Sequence, residues 1–326
     1  MRVHRESFLH CLESVQPGLS AREVIEQSSC FVFQNGKVYS YNDEVACHSS
    51  SGLDDSFIGA LAAEPLLAVL RKLVEDELRL EVQEAELHII GKGRRAGIRM
   101  EQEIALPIAN VEKPKEWRLL HTDFAEAINV VQHCAGKDDS QFHLTCVHIH
   151  PDWIEACDNY QLCRWPLQTG ITQPTLVRQS AIKHLVSLAM TKFAETASWL
   201  HFRNRAGLVL SCRRYVEDFP DLTVFLDVHG EPISLPKGLV EATEKAQIFS
   251  AENPEADRVT LSLSADKLRI KGLGVTGWYR ESKKVRYQGQ PISFQIAPQI
   301  LLDIVKRHSD CLLAADRLKV DGGKYV

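Results

Sequence analysis

Apolar residues recur at steps of three and four in six segments of the chain, the spacing that places them on one face of a helix. In the first segment, Phe8, Leu12 and Val15 share a face, and Pro17-Gly18 ends the segment. The six predicted helices span residues 5–16, 62–74, 121–135, 177–191, 237–249 and 297–308.

Short segments in which apolar and polar residues alternate follow each predicted helix, as expected of strands with one buried face. Asn35-Gly36 separates the first two of them and is a strong signal for a two-residue hairpin turn. The predicted strands span residues 30–34, 37–41, 78–83, 86–90, 97–100, 142–149, 153–157, 198–203, 207–212, 259–264, 267–271, 311–314 and 317–320. Residues 113–116, Lys-Pro-Lys-Glu, have the composition of a linker.

The predicted helices and strands follow one another in the same order along the chain, with a period of roughly 50–60 residues. Such a period indicates a repeated architecture rather than one unique core. Two units of one helix and several strands make a domain with two helices and two small sheets, in which the helices cover one face of the sheets. We therefore predict an α+β protein of three similar domains, at residues 1–117, 118–222 and 223–326.

The charge and the cysteine content narrow the range of functions. The 326 residues carry a formal net charge of −5, so a contact with nucleic acid would require positive charge gathered on one part of the surface. Nine cysteines are scattered without a C-x-x-C pair, which is typical of reduced thiols in a cytosolic protein. The N-terminal residues lack an apolar signal core, and no run of about 18 apolar residues predicts a membrane helix.

The alternating residues Cys146, His148 and His150 are the best candidates for a metal site, because alternate residues of a strand lie on one face. Cys157 and Cys163 lie nearby in the sequence. Structural zinc sites, however, use closely spaced pairs of ligands such as C-x₂₋₄-C. We therefore expect ordinary strand side chains and no bound cofactor, with a metal-dependent enzyme built on this strand as an alternative.

Known catalytic motifs for nucleophiles, zinc proteases and dinucleotide binding do not occur in the sequence, so nothing in it points to an enzyme. Residues 91–97, Gly-Lys-Gly-Arg-Arg-Ala-Gly, are rich in glycine and basic residues. They lack the spacing and the Lys-Ser/Thr ending of a phosphate-binding loop. We predict a basic hairpin turn at this position.

A hairpin is also predicted around Asp158-Asn159, since both side chains bond to nearby backbone and tolerate left-handed geometry. The segment 153–165 that contains this pair resembles the Ala-Thr-Asp-Gly-His-Arg-Leu hairpin in the middle domain of the bacterial DNA sliding clamp, the β subunit of DNA polymerase III. Residues 214–221, Arg-Tyr-Val-Glu-Asp-Phe-Pro-Asp, are similar to the segment between the second and third domains of that family.

The third domain of the family also has counterparts here, since residues 258–277 are similar to its first sheet and residues 292–302 to the start of its last helix. The resemblance covers nearly the whole chain and implies the ring-forming DNA-clamp fold, with two helices and two small antiparallel sheets in each of three domains. It implies a head-to-tail homodimer that closes around duplex DNA without reading its sequence. DNA polymerase and clamp loader would bind through short peptide motifs, in the cytoplasm or nucleoid of a bacterium, with a phage as an alternative source.

The resemblance further implies a pocket for partner peptides, a dry groove that takes apolar and aromatic anchors from a short segment. The pocket residues would be Cys157, Asn159, Tyr160, Gln161 and Leu162 of the hairpin and Pro220, Val224 and Phe225 of the segment that joins the domains. The first four stand where the family has Thr, Gly, His and Arg, which implies a divergent partner motif. The family's chain also extends several residues beyond the position of Val326, and that tail completes the pocket floor.

A clamp that slides should contact phosphates weakly, through Lys and Arg on the helix faces directed away from the sheets. The segment 177–192 fits best, because it contains basic residues and no acidic residue. Arg22 falls where the family carries an arginine near the DNA path. The predicted DNA-binding residues are Arg22, Arg71, Lys72, Arg178, Lys183, His184, Lys192, Lys306 and Arg307. The alternatives are a solvated helix face for each residue and, for the protein, a clamp-fold adaptor that does not encircle DNA.

Overall fold

The computed structural model describes residues 1–252, 257–315 and 317–326. The first third contains β1 (Arg2–His4), α1 (Arg5–Ser14), β2 (Cys30–Gln34), β3 (Lys37–Tyr41), β4 (Val45–Ser50), β5 (Gly59–Ala62), α2 (Ala63–Lys72), β6 (Glu77–Gln83), β7 (Glu86–Gly91) and β8 (Arg94–Glu101). The middle third contains β9 (Arg118–Leu119), α3 (Phe124–Val131), β10 (Cys146–Ile149), β11 (Trp153–Cys157), β12 (Leu162–Pro166), β13 (Thr175–Arg178), α4 (Gln179–Ile182), β14 (Met190–Glu195), β15 (Trp199–Asn204) and β16 (Val209–Arg213). The last third contains α5 (Thr223–Leu226), β17 (Glu231–Ser234), α6 (Leu239–Ser250), β18 (Val259–Ser264), β19 (Lys267–Leu273), β20 (Trp278–Lys284), β21 (Ile292–Ile296), α7 (Pro298–Val305), β22 (Asp310–Leu313) and β23 (Leu318–Lys319).

One order of elements occurs three times: a helix, four strands, a second helix and two or three further strands. The first helices are α1, α3 and α6, and the second helices are α2, α4 and α7. The predicted repeat of helices and strands is therefore confirmed. Asn35 and Gly36 have positive φ angles of 52° and 66°, as a two-residue hairpin between β2 and β3 requires.

The predicted helix at 177–191 is wrong in its length. Helix α4 covers only Gln179–Ile182, a 3-10 turn follows at Lys183–Ser187, and β14 begins at Met190. The chain leaves the helical conformation at Ala189, whose φ is +49°, and the residues that follow pair with β15 and β9. Sheet pairing thus overrides the helical spacing of the apolar residues in this segment.

Two other predicted elements are too long. The strand predicted at 142–149 is wrong over its first half, because Asp139–Thr145 forms a 3-10 segment capped by the Asp138 carboxylate. The helix predicted at 121–135 is shortened to α3, which continues as one 3-10 turn. Among the strands absent from the prediction are β4 and β20, whose two faces do not differ clearly in polarity.

The chain divides into two compact units. Unit 1 consists of Met1–Leu162 with Pro166–Phe219, and unit 2 consists of Cys163–Trp165 with Pro220–Val326. Unit 1 therefore contains most of the first two thirds of the chain, and unit 2 contains the last third with a short piece of β12. The division into three domains stays a prediction.

A twelve-stranded sheet organises unit 1, in the order β1-β6-β7-β8-β5-β2-β3-β4-β16-β15-β14-β9. Its continuity depends on one antiparallel ladder, in which Val45 to His48 of β4 pair with β16. At the end of this ladder the Arg213 guanidinium donates to Asp43 and lies 4.8 Å from the centre of the Trp199 ring. In a further sheet of unit 1, β10 pairs with β11 and with β13.

The helices of each third pack against each other and bury their apolar faces. Helix α1 contacts α2, α3 contacts the 3-10 turn after α4, and α6 contacts α7. Leu12 of α1 and Leu66 and Leu70 of α2 are completely buried. The spacing of these leucines is the amphipathic pattern from which the helices were predicted.

Unit 2 contains two antiparallel sheets, ordered β20-β19-β18-β21 and β17-β22-β23. One face of the four-stranded sheet packs against α6, where Leu268 and Ile270 of β19 are buried in one cluster with Ala242 and Ala246. The helix and the strand approach each other most closely at Gly272. A Cβ added there would lie 1.9 Å from the carbonyl oxygen of Ala246, so the contact requires glycine.

All nine cysteines are free thiols. Burial raises the pKa of Cys47, Cys157 and Cys311 to about 12, so these thiols stay protonated at neutral pH. Within the described residues, no helix combines the length and the apolar composition needed to cross a membrane.

Replacing Gly272 with alanine should destabilise unit 2, because the new methyl group would force α6 away from β19. Overpacking a core position costs about 1–3 kcal/mol, so we expect a lower midpoint of urea-induced unfolding, followed by circular dichroism. Gly136→Ala is the matched control, since its Cβ would meet the Leu144 carbonyl oxygen at 3.4 Å, an ordinary van der Waals distance. Equal midpoints for the two variants would contradict the close contact at Gly272.

Candidate nucleic-acid and peptide interfaces

The predicted DNA-binding residues of the first third lie at the end of α2 and in a loop. Arg71 and Lys72 belong to the last turn of α2, where cations interact favourably with the helix dipole. Arg71 is also paired with Glu13 of α1, with Nη2 2.8 Å from Oε1. Arg22 is exposed in the loop between α1 and β2. Lys72 and Arg22 therefore present positive charge at the surface, and part of the charge of Arg71 is neutralised.

Arg178 has the surroundings of a structural residue. Its guanidinium donates to Asp139, and Nε lies 3.6 Å from a carboxylate oxygen of Glu44. The same guanidinium lies 4.6 Å from the centre of the Phe142 ring. Two carboxylates and an aromatic face therefore surround Arg178, which leaves little of its charge for a phosphate.

The other candidates of the middle third are Lys183, His184 and Lys192. Lys183 is exposed in the 3-10 turn after α4. Burial, assisted by the charge of Lys183, lowers the pKa of His184, so its ring is neutral at pH 7 and adds no positive charge. Lys192 is exposed on strand β14, opposite Leu119 and Arg203, and not on a helix as predicted.

The candidates of unit 2 follow helix α7 directly. Lys306 and Arg307 are both exposed. Lys306 Nζ lies 4.0 Å from Glu244 of α6, an exposed ion pair of the kind that contributes little stability. The predicted residues that the structure leaves as exposed cations are thus Arg22, Arg71, Lys72, Lys183, Lys192, Lys306 and Arg307.

The hairpin between β11 and β12 has the predicted turn chemistry. Asp158 Oδ1 accepts hydrogen bonds from the amides of Tyr160 and Gln161, at 2.6 and 2.8 Å. Gln161 Nε2 donates to the His133 carbonyl at 3.1 Å, which ties the hairpin to the end of the α3 segment. Cys157 is buried, and the Tyr160 side chain is 69% exposed on the surface of unit 1. The remaining predicted hairpin residues are the exposed Asn159 and the half-buried Leu162.

The other predicted pocket residues lie in unit 2, before and within the short helix α5. The Phe225 ring lies 5.4 Å from the Arg317 guanidinium, and Arg317 Nη1 donates to the Val224 carbonyl at 3.4 Å. Lys319 Nζ donates to the Leu226 carbonyl at 2.9 Å. Two cations therefore bond to the carbonyls of α5. The predicted residues Pro220, Val224 and Phe225 are all exposed.

One group of unit 2 residues near α5 is absent from the sequence prediction. Trp165 stacks on Tyr325 with ring centres 5.2 Å apart, and Lys324 Nζ lies 5.6 Å from the Trp165 ring. The backbone of Arg164 pairs with that of Val326 in both directions, at 2.7 and 3.0 Å. Residues 324–326 therefore form part of the folded surface of unit 2. In the sequence, Trp165 and Tyr325 could have indicated this group. They lie so far apart along the chain, however, that their pairing could not be recognised.

A second surface that the sequence analysis missed is apolar, and we call it the β20 patch: Ile248, Leu273, Val275 and Trp278. Ile248 lies in α6 and is 68% exposed, and Trp278 begins β20 and is 58% exposed. Glu252, just after α6, accepts a hydrogen bond from the Thr276 amide at 2.8 Å, which ties the loop between β19 and β20 to the end of α6. Leu273 and Trp278 lie opposite each other in the β19–β20 pair, and exposed apolar residues that lie together commonly mark an interaction site.

The side chains of the Cys/His strand are engaged in packing. His148 Nδ1 lies 2.8 Å from Glu155 Oε1, and His150 stacks on Trp153 with ring centres 3.7 Å apart. Burial raises the pKa of Cys146 to about 11, so this thiol stays protonated at neutral pH. Nowhere in residues 1–252, 257–315 and 317–326 do three or more His, Cys, Asp or Glu side chains lie close enough to hold a metal ion.

The basic loop at 91–97 is a hairpin turn, as predicted. Strand β7 ends at Gly91 and β8 begins at Arg94, so the turn consists of two residues. Gly93 has a φ of +70°, which glycine adopts without strain. The glycine at this position therefore serves the turn.

The fold has clear relatives among solved structures. The chain matches a sliding clamp (DNA polymerase III subunit beta) from Pseudomonas aeruginosa bound to griselimycin, with 16% identity and a TM-score of 0.82, over 100% of this chain and 96% of that chain. A sliding clamp from Bartonella birtlesii, also bound to griselimycin, matches with 16% identity and a TM-score of 0.82, over 97% of this chain and 93% of that chain. The DNA polymerase III beta chain from Streptococcus pneumoniae matches with 15% identity and a TM-score of 0.81, over 96% of this chain and 93% of that chain. No protein-family model matches the sequence, and a comparison with curated proteins finds no match.

The chain therefore has the fold of the bacterial DNA sliding clamp, and the resemblance stated from the sequence is confirmed at this level. The likeness extends over nearly the full length of both chains. At 16% identity most side chains differ, so the architecture is shared while the chemistry of the surface is largely this chain's own.

Proposed function

We propose that this protein is a DNA sliding clamp, a ring that encircles duplex DNA and tethers a DNA polymerase to it. The observation that supports this most is the likeness of the fold to bacterial sliding clamps over the whole chain, with a TM-score of 0.82. A clamp raises processivity by topology and tethering and catalyses no reaction itself. We propose that it acts in the cytoplasm or nucleoid of a bacterium, encoded by the bacterium or by a phage.

The proposed ring consists of two chains with three domains each, at residues 1–117, 118–222 and 223–326. The threefold repeat of elements supports this division. Strands β4 and β20 occupy the same position in the repeat, as the third strand after the first helix. β4 pairs with β16, whereas β20 pairs on one side with β19 and has no partner strand on its other side among the described residues. The open edge of β20 is therefore suited to a strand from a second copy of the chain.

The β20 patch supports the same homodimer interface. Leu273 and Trp278 are paired at the end of the sheet where β20 begins, and Ile248 lies in α6 on the other side of that sheet, so a second chain that docks at this edge would meet exposed apolar residues on both sides. Homodimer interfaces are more apolar than the rest of a protein surface, which suits this composition. Two identical head-to-tail contacts would then close the ring.

Ile248→Glu should convert the dimer to monomers, because each interface would bury an unpaired carboxylate at a cost of several kcal/mol. Light scattering should give twice the chain mass of 36.7 kDa for the unmodified protein and the single-chain mass for the variant. Val216→Glu is the matched control, since Val216 is an exposed valine of the predicted second domain, which takes no part in a contact between first and third domains. A dimer that survives Ile248→Glu would contradict the use of the β20 patch.

We further propose that the phosphates of the duplex contact the exposed cations Arg22, Arg71, Lys72, Lys183, Lys192, Lys306 and Arg307. Arg178 and His184 drop out of the predicted set, because two carboxylates and the Phe142 ring surround Arg178 and the His184 ring is neutral at pH 7. Contacts from scattered cations to phosphates carry no sequence information and are weakened by salt, which suits a protein that slides.

The protein should stay on a circular duplex and leave it when the circle is cut, because topology rather than affinity holds a closed ring on DNA. The measurement is gel filtration of the protein incubated with nicked circular plasmid, clamp loader and ATP, before and after linearisation by a restriction enzyme. Retention that survives linearisation would indicate ordinary DNA binding. No retention at all would favour the clamp-fold adaptor that does not encircle DNA.

A charge variant separates topology from phosphate contact in the same assay. Lys183→Gln combined with Arg307→Gln removes two proposed phosphate contacts, so the amount loaded at about 0.1 M salt should fall several-fold. The material that is loaded should still be lost on linearisation, since the ring is unchanged.

We also propose that DNA polymerase and clamp loader bind through short peptide motifs to the hairpin and α5 residues Cys157, Asn159, Tyr160, Gln161, Leu162, Pro220, Val224 and Phe225. The exposed Tyr160, Val224 and Phe225 are the anchors, since aromatic and apolar contacts dominate such sites. Two of the similar clamps are bound to griselimycin, which makes this compound a suitable probe for the site.

Phe225→Ala should weaken griselimycin binding about tenfold, the loss expected when an aromatic anchor of a small site is removed. Isothermal titration calorimetry on the full chain measures the affinity. Val74→Ala removes an exposed apolar side chain outside the proposed site and should leave the affinity unchanged. Binding that is insensitive to Phe225→Ala would place the compound elsewhere and remove the support for α5 as an anchor.

A further inference from the structure

The four-stranded sheet of unit 2 has two chemically different faces. The face toward α6 carries the buried Leu268 and Ile270 of β19. Glu281 of β20 lies on that side as well, 3.7 Å from Lys245 of α6. The opposite face carries five exposed cations, which we call the basic face: Lys267, Arg269, Lys271, Arg280 and Lys284.

The basic face contains no acidic residue. All residues of β18 to β21 are described. Their alternation and their pairing register show that, besides the cations, this face carries only residues with hydroxyl or amide groups and two apolar residues. The acidic residues next to it in the sequence are Glu281, which faces α6, and Asp266, in the turn between β18 and β19. Because the whole chain has a net charge of −5, five neighbouring cations are a strong local concentration of positive charge.

Four of the five cations of the basic face lie opposite one another. Lys267 is paired across the strands with Lys284, and Lys271 is paired with Arg280. Like charges directly opposite each other destabilise a sheet. The ion pair of β20 between Lys283 and Glu281 lies on the other face and does not relieve this repulsion. A bound polyanion would relieve this repulsion. The arrangement therefore favours the binding of an anion at the expense of the stability of the sheet.

The rest of this face is neutral and polar. Strand β18 contributes Thr260, Ser262 and Ser264, and β21 places Gln295 and Ser293 beside them. Ser262 Oγ and Ser293 Oγ lie 2.9 Å apart and are exposed. Hydroxyl and amide groups donate to and accept from the edges of nucleic-acid bases. One half of the face is therefore cationic, and the other half offers neutral hydrogen-bonding groups.

We infer that the basic face binds single-stranded DNA, with phosphates along β19 and β20 and bases over β18 and β21. Alternate residues of a strand are about 6.8 Å apart, so Lys267, Arg269 and Lys271 form a row with a spacing similar to that of successive phosphates in an extended strand. Bases can reach a flat surface only when they are unpaired, which favours a single strand over a duplex.

This inference goes beyond the proposed clamp function. In the proposed ring the helices face the encircled duplex, whereas the basic face is on the side of its sheet opposite α6. It would therefore hold a second, single-stranded segment outside the ring. Binding of that segment does not require the ring to be closed, so the two functions can be tested separately.

Fluorescence anisotropy of a labelled oligo-thymidine of about 20 nucleotides, titrated with the full chain, measures this binding. Three to five phosphate contacts predict a slope of about −2 to −3.5 for the logarithm of the binding constant against the logarithm of the salt concentration. The combined variant Lys267→Gln, Arg269→Gln and Lys271→Gln should bind at least tenfold more weakly at about 50 mM salt, with the slope reduced in size by about 2.

The matched control removes the same charge elsewhere, by Lys115→Gln, Lys137→Gln and Arg205→Gln, all at exposed positions. It should bind within twofold of the unmodified protein. Equal weakening of both variants would overturn the inference, because binding would then follow net charge. Tighter binding of a duplex of the same length, or of polyglutamate, would overturn it in favour of those partners. Circular dichroism verifies the fold of each variant, and retention on circular plasmid reports separately on the ring.

Discussion

Unpaired strand edges are the constraint on which this architecture depends. The N–H and C=O groups of an edge must be paired or covered, and each repeat of the fold creates such an edge. In unit 1 the ladder between β4 and β16 satisfies one edge and joins the first two thirds of the chain into one sheet. Arg213 secures the end of that ladder by donating to Asp43 and packing on Trp199. In the proposed dimer, β20 continues this scheme between chains, so assembly repeats a contact that already exists within the fold.

Whether a basic residue can contact the phosphates of DNA depends on its surroundings and not only on its type. Arg178 and Lys183 lie in the same short segment of sequence, yet carboxylates surround the first and the second is exposed. His184 is next to Lys183 and is neutral at pH 7 because burial lowers its pKa. The basic face shows the opposite case, in which strand pairing gathers cations from β19 and β20 into one surface. A count of basic residues along a helix therefore gives a poor estimate of where phosphates can bind.

Much of the fold could be predicted from the sequence, because its helices and hairpins follow from local chemistry. The buried leucines of α2 recur at helical spacing, and Asn35-Gly36 adopts the turn that its residues favour. The hairpin that exposes Tyr160 could also be predicted from local chemistry, because the Asp158 side chain accepts a hydrogen bond from the Tyr160 amide and so forms the turn. The limits of α4 could not be predicted, because pairing with distant strands decides where the helix stops. The basic face and the β20 patch were missed for the same reason, since the pairing of β20 with β19 places Arg280, Lys284 and Trp278 beside residues of β19.

The close contact between α6 and β19 limits which residues can be substituted as the sequence of such a chain diverges. At 16% identity to similar clamps, most positions have changed while the fold has not. Gly272 has no freedom of this kind, because a backbone atom of the helix occupies the space of any side chain. Its neighbours Lys271 and Leu273 point to solvent, so a change of side chain there leaves the packing beneath α6 intact. Evolution can therefore rewrite the chemistry of this sheet, including its charge, as long as one glycine beneath the helix is inherited unchanged.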